Sequence, residues 1–197
     1  MTNPTNTIDL TGATEHAAGL LAALGIPCDT ESTAATPRRM AKALAELTAG
    51  VRLDPARHLA VTFPSEGERA GLIAAVGVPF VAMCEHHVLP FPGHATVAYL
   101  PTPGARIVGL SKLARLVQEF AARPQVQERL GRQVVDALGA YLDIQGAACL
   151  IRSQHACMTL RGARAHGAAM VTTHLTGALH ADPARRSEVL ALMPSPS

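Results

Sequence analysis

Residues 72–101, "LIAAVGVPFVAMCEHHVLPFPGHATVAYLP", decide the fold. The apolar run at 72–83 predicts one strand, and "HATVAYLP" at 94–101 predicts a second strand after a Pro-Gly turn at residues 92–93. Between them stand a thiol, a carboxylate and two imidazoles, whose crowding adds nothing to the packing of a core. The stretch therefore predicts two successive strands with a reactive group of side chains between them.

The elements on either side of these strands complete the predicted order. Downstream we predict a helix from Ser111, its N-cap, to about Ala122, a helix from Pro124, strands over 147–153 and 167–175, a short helix over 183–192 and a frayed tail at 194–197. Upstream we predict a helix over 11–24, a helix that Thr36 caps and Gly50 ends, and a connector from 51 to 68. The order is helices followed by β-β-α-α-β-β.

The composition excludes several classes of protein. The chain has 197 residues, which suits one domain, and its 17 basic and 15 acidic side chains give a formal charge of only +2. That balance argues against nucleic acid or an anionic membrane surface as a partner. The N-terminal stretch lacks the pattern of a signal peptide, and no apolar run reaches the roughly 20 residues that span a bilayer. We therefore predict a cytoplasmic protein with reduced cysteines.

Two clusters of Cys and His predict a metal site. Cys84 is followed by His86 and His87, and Cys157 stands two positions after His155, where an extended segment would direct both side chains to one face. Thiolate with imidazole is a ligand set that suits zinc. Either cluster alone fits small buried cysteines equally well. Two clusters of the same chemistry favour a metal.

The number of ligands would decide the kind of metal site. A closed structural zinc site takes four protein ligands, whereas a catalytic site takes three and leaves a position for water. Spacing alone does not tell His86 from His87. Cys28 and Cys149 have no such neighbours, and we predict that both are core or incidental residues.

Several basic residues predict a phosphate-binding surface. Ser111, Lys112 and Arg115 stand in the first turns of a predicted helix, where hydroxyl, ammonium and guanidinium groups suit phosphate. The other basic residues near the motifs are Arg38, Arg39, Arg161 and Arg164. Each alone reads as a solvated surface group, but the nearness of Arg161 to Cys157 favours a polyphosphate substrate. Glu128 alone reads as a helix-start carboxylate that interacts with the helix dipole.

Four blocks of the sequence resemble the signature motifs of the GTP cyclohydrolase I family. They are "TPRRMAKAL" (36–44), "MCEHHVLPFPGHATVAYLP" (83–101), "GLSKLARLVQEFAARPQVQERL" (109–130) and "HACMTLRGARAHGAAMVTT" (155–173). The resemblance implies an α+β tunnelling fold with an antiparallel β-β-α-α-β-β sheet, N-terminal helices, and subunit sheets that join into a barrel. It also implies a homodecamer of two pentamers with active sites at subunit interfaces. Residues 1–68 would then be an N-terminal helical region and connector, and residues 69–197 the catalytic domain.

The same resemblance implies a role for each candidate residue. Cys84, His87 and Cys157 match the family's zinc ligands, with water in the fourth position. His86 and His155 match its non-ligand catalytic histidines. Glu128 matches the carboxylate that holds the guanine edge, and Gln127 lies beside it. Positions that hold the ribose or triphosphate match Arg39, Ser111, Lys112, Arg115 and Arg161, of which Ser111 is also a candidate proton carrier.

The implied reaction is the zinc-dependent opening of GTP to 7,8-dihydroneopterin triphosphate and formate, at the entry to folate or biopterin synthesis. One alternative is a paralogue of this enzyme that serves 7-deazapurine synthesis. A second is a zinc module that binds nucleotide without turnover. A third is the nitrile reductase of queuosine synthesis, which shares the tunnelling fold but needs no zinc, so that the Cys and His clusters would have no use there.

Overall fold

The computed structural model of the protein describes residues 7–65 and 71–193. The predicted boundary between residues 68 and 69 and the predicted frayed tail at 194–197 lie outside the described residues. The helices are α1 (Leu10–Ala23), α2 (Thr36–Leu47), α3 (Leu110–Ala121), α4 (Gln127–Tyr141), α5 (Ala156–Thr159), α6 (Ala178–Ala181) and α7 (Pro183–Leu190), with 3-10 helices at Ala49–Arg52 and Pro55–Ala60. The strands are β1 (Thr62–Pro64), β2 (Ile73–Cys84), β3 (Pro90–Pro101), β4 (Arg106–Val108), β5 (Pro124–Gln125), β6 (Ile144–Ser153) and β7 (Met170–Leu175).

A five-stranded sheet in the order β5-β2-β3-β6-β7 forms the centre of the protein. The pairs β2–β3, β3–β6 and β6–β7 are antiparallel, and the short β5 is parallel to β2. Strands β1 and β4 form a separate antiparallel pair. The predicted α+β class and the β-β-α-α-β-β order are confirmed by β2, β3, α3, α4, β6 and β7. The closing of several such sheets into a barrel stays a prediction.

Helices cover parts of both faces of the sheet. On one face α3 and α4 pack through buried residues such as Leu116, Val117, Leu130 and Leu138. On the other face Leu179 and other residues of the C-terminal helices pack on β3 and β6. Burying one leucine fully stabilises the fold by about 1.5–3 kcal/mol. None of the helices in the described ranges is long and apolar enough to cross a membrane.

The predicted Pro-Gly turn at residues 92–93 is wrong. Pro92 and Gly93 lie inside β3, where they pair with Val81 and Phe80 of β2. The chain reverses earlier, over residues 85–89. Gly93 serves a close approach of strands instead of a turn, because a Cβ atom there would lie 2.5 Å from the backbone oxygen of Arg152.

Three predicted helix starts are also displaced. Helix α2 is preceded by Ala35 and has no side-chain cap, so that Thr36 is its first residue. Helix α3 follows Gly109 and likewise lacks a side-chain cap at Ser111. Helix α4 begins at Gln127, since Pro124 belongs to β5, which pairs with the end of β2. The N-cap positions of α2 and α3 differ from the prediction by one and two residues, whereas pairing of Pro124 with Met83 displaces the start of α4 by three residues.

The predicted connector at 51–68 contains regular structure. Its described part contains the end of the 3-10 helix Ala49–Arg52, all of the 3-10 helix Pro55–Ala60, and the strand β1. Both Nη atoms of Arg57 donate to the carboxylate of Glu119 in α3, each at 2.6 Å, and His58 Nε2 lies 2.8 Å from the same group. Three contacts to one carboxylate hold this irregular segment against α3.

Candidate active site

The reversal between β2 and β3 brings His87 back towards Cys84. The N–H of Val88 donates to the oxygen of Cys84 at 2.8 Å, and the N–H of Cys84 donates to the oxygen of Leu89 at 2.8 Å. Val88 has a φ of 53°, which is unfavourable for a β-branched residue. We call residues 84–89 the metal loop. Its tight backbone places Cys84 Sγ 3.8 Å from His87 Nδ1.

The second cluster differs from its prediction. His155 has extended dihedral angles and precedes α5, but Cys157 lies within that short helix instead of on an extended segment. The N–H groups of Met158 and Thr159 both donate to the oxygen of His155 and form the helical turn. Because α5 follows β6, and β6 neighbours β2 through β3, the fold carries Cys157 to the metal loop.

Cys84, His87 and Cys157 form a group that could hold a metal ion. Their ligand atoms all lie within 4.8 Å of one another, with Cys84 buried and His87 exposed. Burial, and next the neighbouring Cys84, raise the pKa of the Cys157 thiol. Two thiolates this close repel each other unless a cation lies between them. Two sulfur donors and one imidazole fit zinc, and a three-residue set is the number found in catalytic sites.

His86 is not a member of this group. Its side chain is 65% exposed, and its Nε2 is 3.8 Å from Glu85 Oε1. Its ring meets the ring of His87 edge to face at 6.4 Å between centroids. The geometry therefore separates two neighbouring histidines that spacing alone could not distinguish.

His155 is held in a fixed orientation beside the group. Its ring stacks on Phe91 at 4.3 Å between centroids, and its Nε2 lies 3.0 Å from Gln127 Oε1. Burial lowers the pKa of His155, while the negative charge of Glu128 opposes that shift. A lowered pKa keeps this imidazole neutral at neutral pH, when it can accept a proton.

Gln127 is buried at the start of α4. Its Oε1 also accepts a hydrogen bond from the Ser153 hydroxyl at 2.6 Å, and its Nε2 lies 3.1 Å from Thr172 Oγ1. The substrate contact expected for Gln127 stays a prediction. Sequence reasoning missed two contacts of Gln127, one with His155 and one with Ser153. Ser153 is 26 positions from Gln127, and no local pattern connects the two.

Sequence reasoning also missed an ion pair that holds the metal loop. Arg129 of α4 donates to both carboxylate oxygens of Glu85, with Nη2 2.9 Å from Oε1. These hydrogen bonds are the largest cause that lowers the pKa of Glu85. Arg129 directly follows Glu128 in the motif "QERL", but the 44 residues that separate it from Glu85 hide the pairing.

The predicted substrate-binding residues fall into two sets. Arg161 lies at the metal group, with Nη1 3.3 Å from His87 Nε2, and Glu128 is an exposed residue of the first turn of α4 whose charge acts on His155. The structure does not bring Ser111, Lys112 and Arg115 to this group. Helix α3 begins at Leu110, two residues after Val108. The N–H of Val108 donates to the Tyr99 hydroxyl. Tyr99 in turn pairs with Ile73, which is at the opposite end of β2 from Cys84, so the start of α3 lies at that end.

The distance between the two ends is large. Strand β2 has 12 residues and a bulge between Ala75 and Val78, so that its ends lie at most about 35 Å apart. Arg39 is exposed in the first turn of α2, where its Nη1 donates to the oxygen of Ser32 at 3.2 Å.

A cavity of about 550 Å³, lined by residues such as Pro79, His94 and Arg152, contains none of the predicted site residues. The metal group instead combines the buried Cys84 with the half-buried Cys157 and the exposed His87.

Comparisons with known proteins agree with the motifs. The family model described as GTP cyclohydrolase I matches residues 13–194. GTP cyclohydrolase 1 of Rhodopirellula baltica is 42% identical over 190 residues, which are 96% of this chain and 81% of that protein. GTP cyclohydrolase 1 of Bacillus cytotoxicus is 43% identical over 182 residues, which are 92% of this chain and 95% of that protein. The crystal structure of the archaeosine synthase QueF-Like in the apo form covers 57% of this chain and 97% of its own, at 13% identity and a TM-score of 0.42.

Proposed function

This chain belongs to the GTP cyclohydrolase I family of hydrolases, and from that premise we propose that it opens the imidazole ring of GTP with a zinc ion bound by Cys84, His87 and Cys157. The proposed products are formate and 7,8-dihydroneopterin triphosphate. The observation that carries the proposal is the convergence of two cysteines and one histidine from distant segments, beside a half-buried His155 whose pKa is lowered.

The donor set supports zinc as the resident metal. Cys84 and Cys157 supply sulfur and His87 supplies nitrogen, which is a borderline-soft set. When bound, zinc supplies Lewis-acid activation of water at neutral pH for attack on C8 of the purine. The thiols must stay reduced to bind it, which fits a cytoplasmic enzyme.

His155 is the proposed acid and base of the ring opening. Because its Nε2 donates to Gln127 Oε1, the neutral ring keeps Nδ1 free to accept a proton. It then returns that proton to the purine nitrogen as the C–N bond breaks. Phe91 and Gln127 keep the ring in one orientation during both transfers. His86, which is exposed beside the metal loop, is the second proposed proton carrier.

Recognition of GTP divides between its base and its phosphates. Glu128 accepts hydrogen bonds from the guanine N–H groups, so that adenine, which lacks this donor edge, is rejected. Gln127 is the neighbouring proposed substrate residue. The ribose and triphosphate are assigned to Arg39, Ser111, Lys112, Arg115 and Arg161, with Ser111 as a proton carrier in the later rearrangement. Charge-assisted hydrogen bonds from guanidinium groups suit phosphate oxygens.

The proposed site is completed by a second subunit. Within one subunit Ser111, Lys112 and Arg115 lie at the opposite end of β2 from Cys84. His87 of the metal group is exposed, so that a neighbouring subunit can approach it. Both observations support a site shared between subunits, in which one subunit supplies the metal group and its neighbour the first turns of α3. The homodecamer of two pentamers that the family resemblance implies is the assembly that we propose.

The test is to incubate the purified zinc-loaded protein with GTP and to measure released formate together with pterin fluorescence. We expect both signals in equal amounts from GTP and neither from ATP. Binding of GTP without formate would replace the proposal by a nucleotide-binding zinc module. A paralogue that serves 7-deazapurine synthesis would make the same products, so this assay does not separate it from an enzyme of folate synthesis. Identifying the enzyme that uses the pterin product separates the two pathways.

A further inference from the structure

One ion pair connects the metal loop to α4. The guanidinium of Arg129 faces the carboxylate of Glu85 and donates to both of its oxygens, and the two side chains are 36% and 29% exposed. Glu85 stands directly after the ligand Cys84 and two residues before the ligand His87. A paired guanidinium and carboxylate fix both distance and orientation. The pair therefore constrains the middle of the metal-binding turn.

The loop needs such a constraint because its backbone is strained. Val88 occupies the left-handed region with a φ of 53°. A β-branched residue holds this conformation only when its surroundings impose it. Beyond the bonds between Cys84 and residues 88 and 89, the N–H of Glu85 donates to the oxygen of Gln125 at 3.0 Å. Glu85 is thus held twice, by its backbone to β5 and by its side chain to α4.

The start of α4 reaches both segments that carry the cysteines. Gln127 contacts His155, two residues before Cys157, and Arg129 contacts Glu85, next to Cys84. Residues 127 and 129 belong to the same helical turn, so that their backbone atoms move as one body. This turn therefore contacts both segments that carry the cysteines.

We propose that Arg129 is a positioning residue for the metal site, and that through Glu85 it holds Cys84 and His87 at the spacing from Cys157 that a zinc ion requires. The inference rests on the proposed zinc site and adds to it the residue that preorganises two of its ligands. Outer partners that orient metal ligands typically change metal affinity by 10–100-fold when removed.

The opposite charges of Arg129 and Glu85 allow a positioning role to be distinguished from a direct electrostatic effect on zinc affinity. Arg129→Gln removes a positive charge near the bound cation, so that Coulomb repulsion alone predicts tighter zinc binding. Glu85→Gln removes a negative charge, and the same reasoning predicts weaker binding. Positioning predicts weaker binding in both variants, because each one breaks the same pair. Arg129→Gln is therefore the decisive variant.

The experiment measures zinc affinity of the full-length protein by competition with a chelator. We expect Arg129→Gln and Glu85→Gln each to weaken zinc binding by about 10-fold or more. Arg129→Lys keeps the charge but not the paired contact, so that its affinity should be intermediate. The matched control is Glu188→Gln, which breaks the ion pair of Arg185 and Glu188 on α7, 2.9 Å long, and should leave zinc affinity unchanged.

A second readout excludes a general loss of stability. A half-exposed ion pair adds little to folding, so that the zinc-free variants should melt close to the unaltered zinc-free protein. With cobalt in place of zinc, thiolate-to-metal absorption should shift in Arg129→Gln as the ligands lose their spacing. If Arg129→Gln does not fold, Arg129→Lys and Glu85→Gln decide the matter by the same affinity measurement.

The outcomes distinguish this inference from the proposed function. If the unaltered protein binds zinc and releases formate while Arg129→Gln binds zinc equally or more tightly, the positioning role is overturned and the function stands. A loss of affinity that merely parallels a loss of melting temperature also overturns it. If the unaltered protein binds no zinc, both the function and the inference fail.

Discussion

At the scale of single residues, the half-buried His155 makes two fixed contacts. Its stacking on Phe91 and its bond to Gln127 leave one orientation, and burial lowers its pKa. It is not a ligand in the group formed by Cys84, His87 and Cys157. Its contribution should therefore separate cleanly from metal binding.

Replacing this histidine tests that separation. His155→Ala should retain one zinc per subunit but lower turnover of GTP by roughly 10² to 10⁴, the usual contribution of a positioned acid or base. Steady-state formate release and metal analysis measure the two effects. A variant with full activity would remove His155 from the chemistry, and one without zinc would make it part of the metal site.

The candidate site was only partly predictable from sequence. Cys84, His87 and Cys157 stand in short clusters, so that local spacing and the motifs reveal them. The bonds of Arg129 to Glu85 and of Gln127 to His155 join positions 44 and 28 residues apart. Such pairs arise from tertiary packing, for which one sequence has no local signal.

At the scale of elements, strands and helices with strong apolar patterns were predictable and their boundaries less so. The pattern of residues 72–83 was enough to predict β2, whereas Pro92 and Gly93 suggest a turn that tertiary packing overrides. The connector at 51–68 has no periodicity because 3-10 helices are too short to show one. Its order comes from contacts such as that of Arg57 with Glu119.

The junction between the first 3-10 helix and α3 offers a test of this packing. A Cβ atom on Gly50 would lie 2.2 Å from the oxygen of Glu119 and 2.7 Å from that of Ala122, which are backbone atoms that cannot turn away. Gly50→Ala should therefore destabilise the protein by about 1–3 kcal/mol or more. The measurement is the midpoint of urea unfolding.

The matched control lies in the exposed part of α4. A Cβ atom on Gly139 would meet nothing within 4 Å, and its site is helical. Gly139→Ala should stabilise the protein by about 0.5–1 kcal/mol, because alanine restricts the unfolded chain. Equal midpoints for the two variants would contradict the close contact at Gly50.

At the scale of the whole molecule, the central question is how one substrate would reach the two distant sets of residues that we assign to it. The metal group lies at one end of β2, and the first turns of α3 lie at the other end. Within one subunit GTP would have to reach along most of the 12-residue strand β2 to contact both sets. An assembly in which neighbouring subunits bring opposite ends together resolves this separation.

Complementation between inactive variants tests that arrangement. Cys84→Ser and Lys112→Ala should each abolish activity, but coexpression should restore part of it, because some interfaces combine an intact metal group with an intact Lys112. Formate release from the copurified mixture is the measurement. Coexpression of Cys84→Ser with Cys157→Ser is the control, and it should restore nothing because both residues belong to one subunit's metal group. Equal activity of the two mixtures would contradict the shared site.

The most direct test of the metal site is an X-ray absorption spectrum at the zinc edge of the purified, assembled protein. Coordination by Cys84, Cys157 and His87 predicts two sulfur neighbours at about 2.3 Å and nitrogen or oxygen neighbours at about 2.0–2.1 Å. A protein without zinc, or a zinc ion with four sulfur neighbours or with none, would contradict the account.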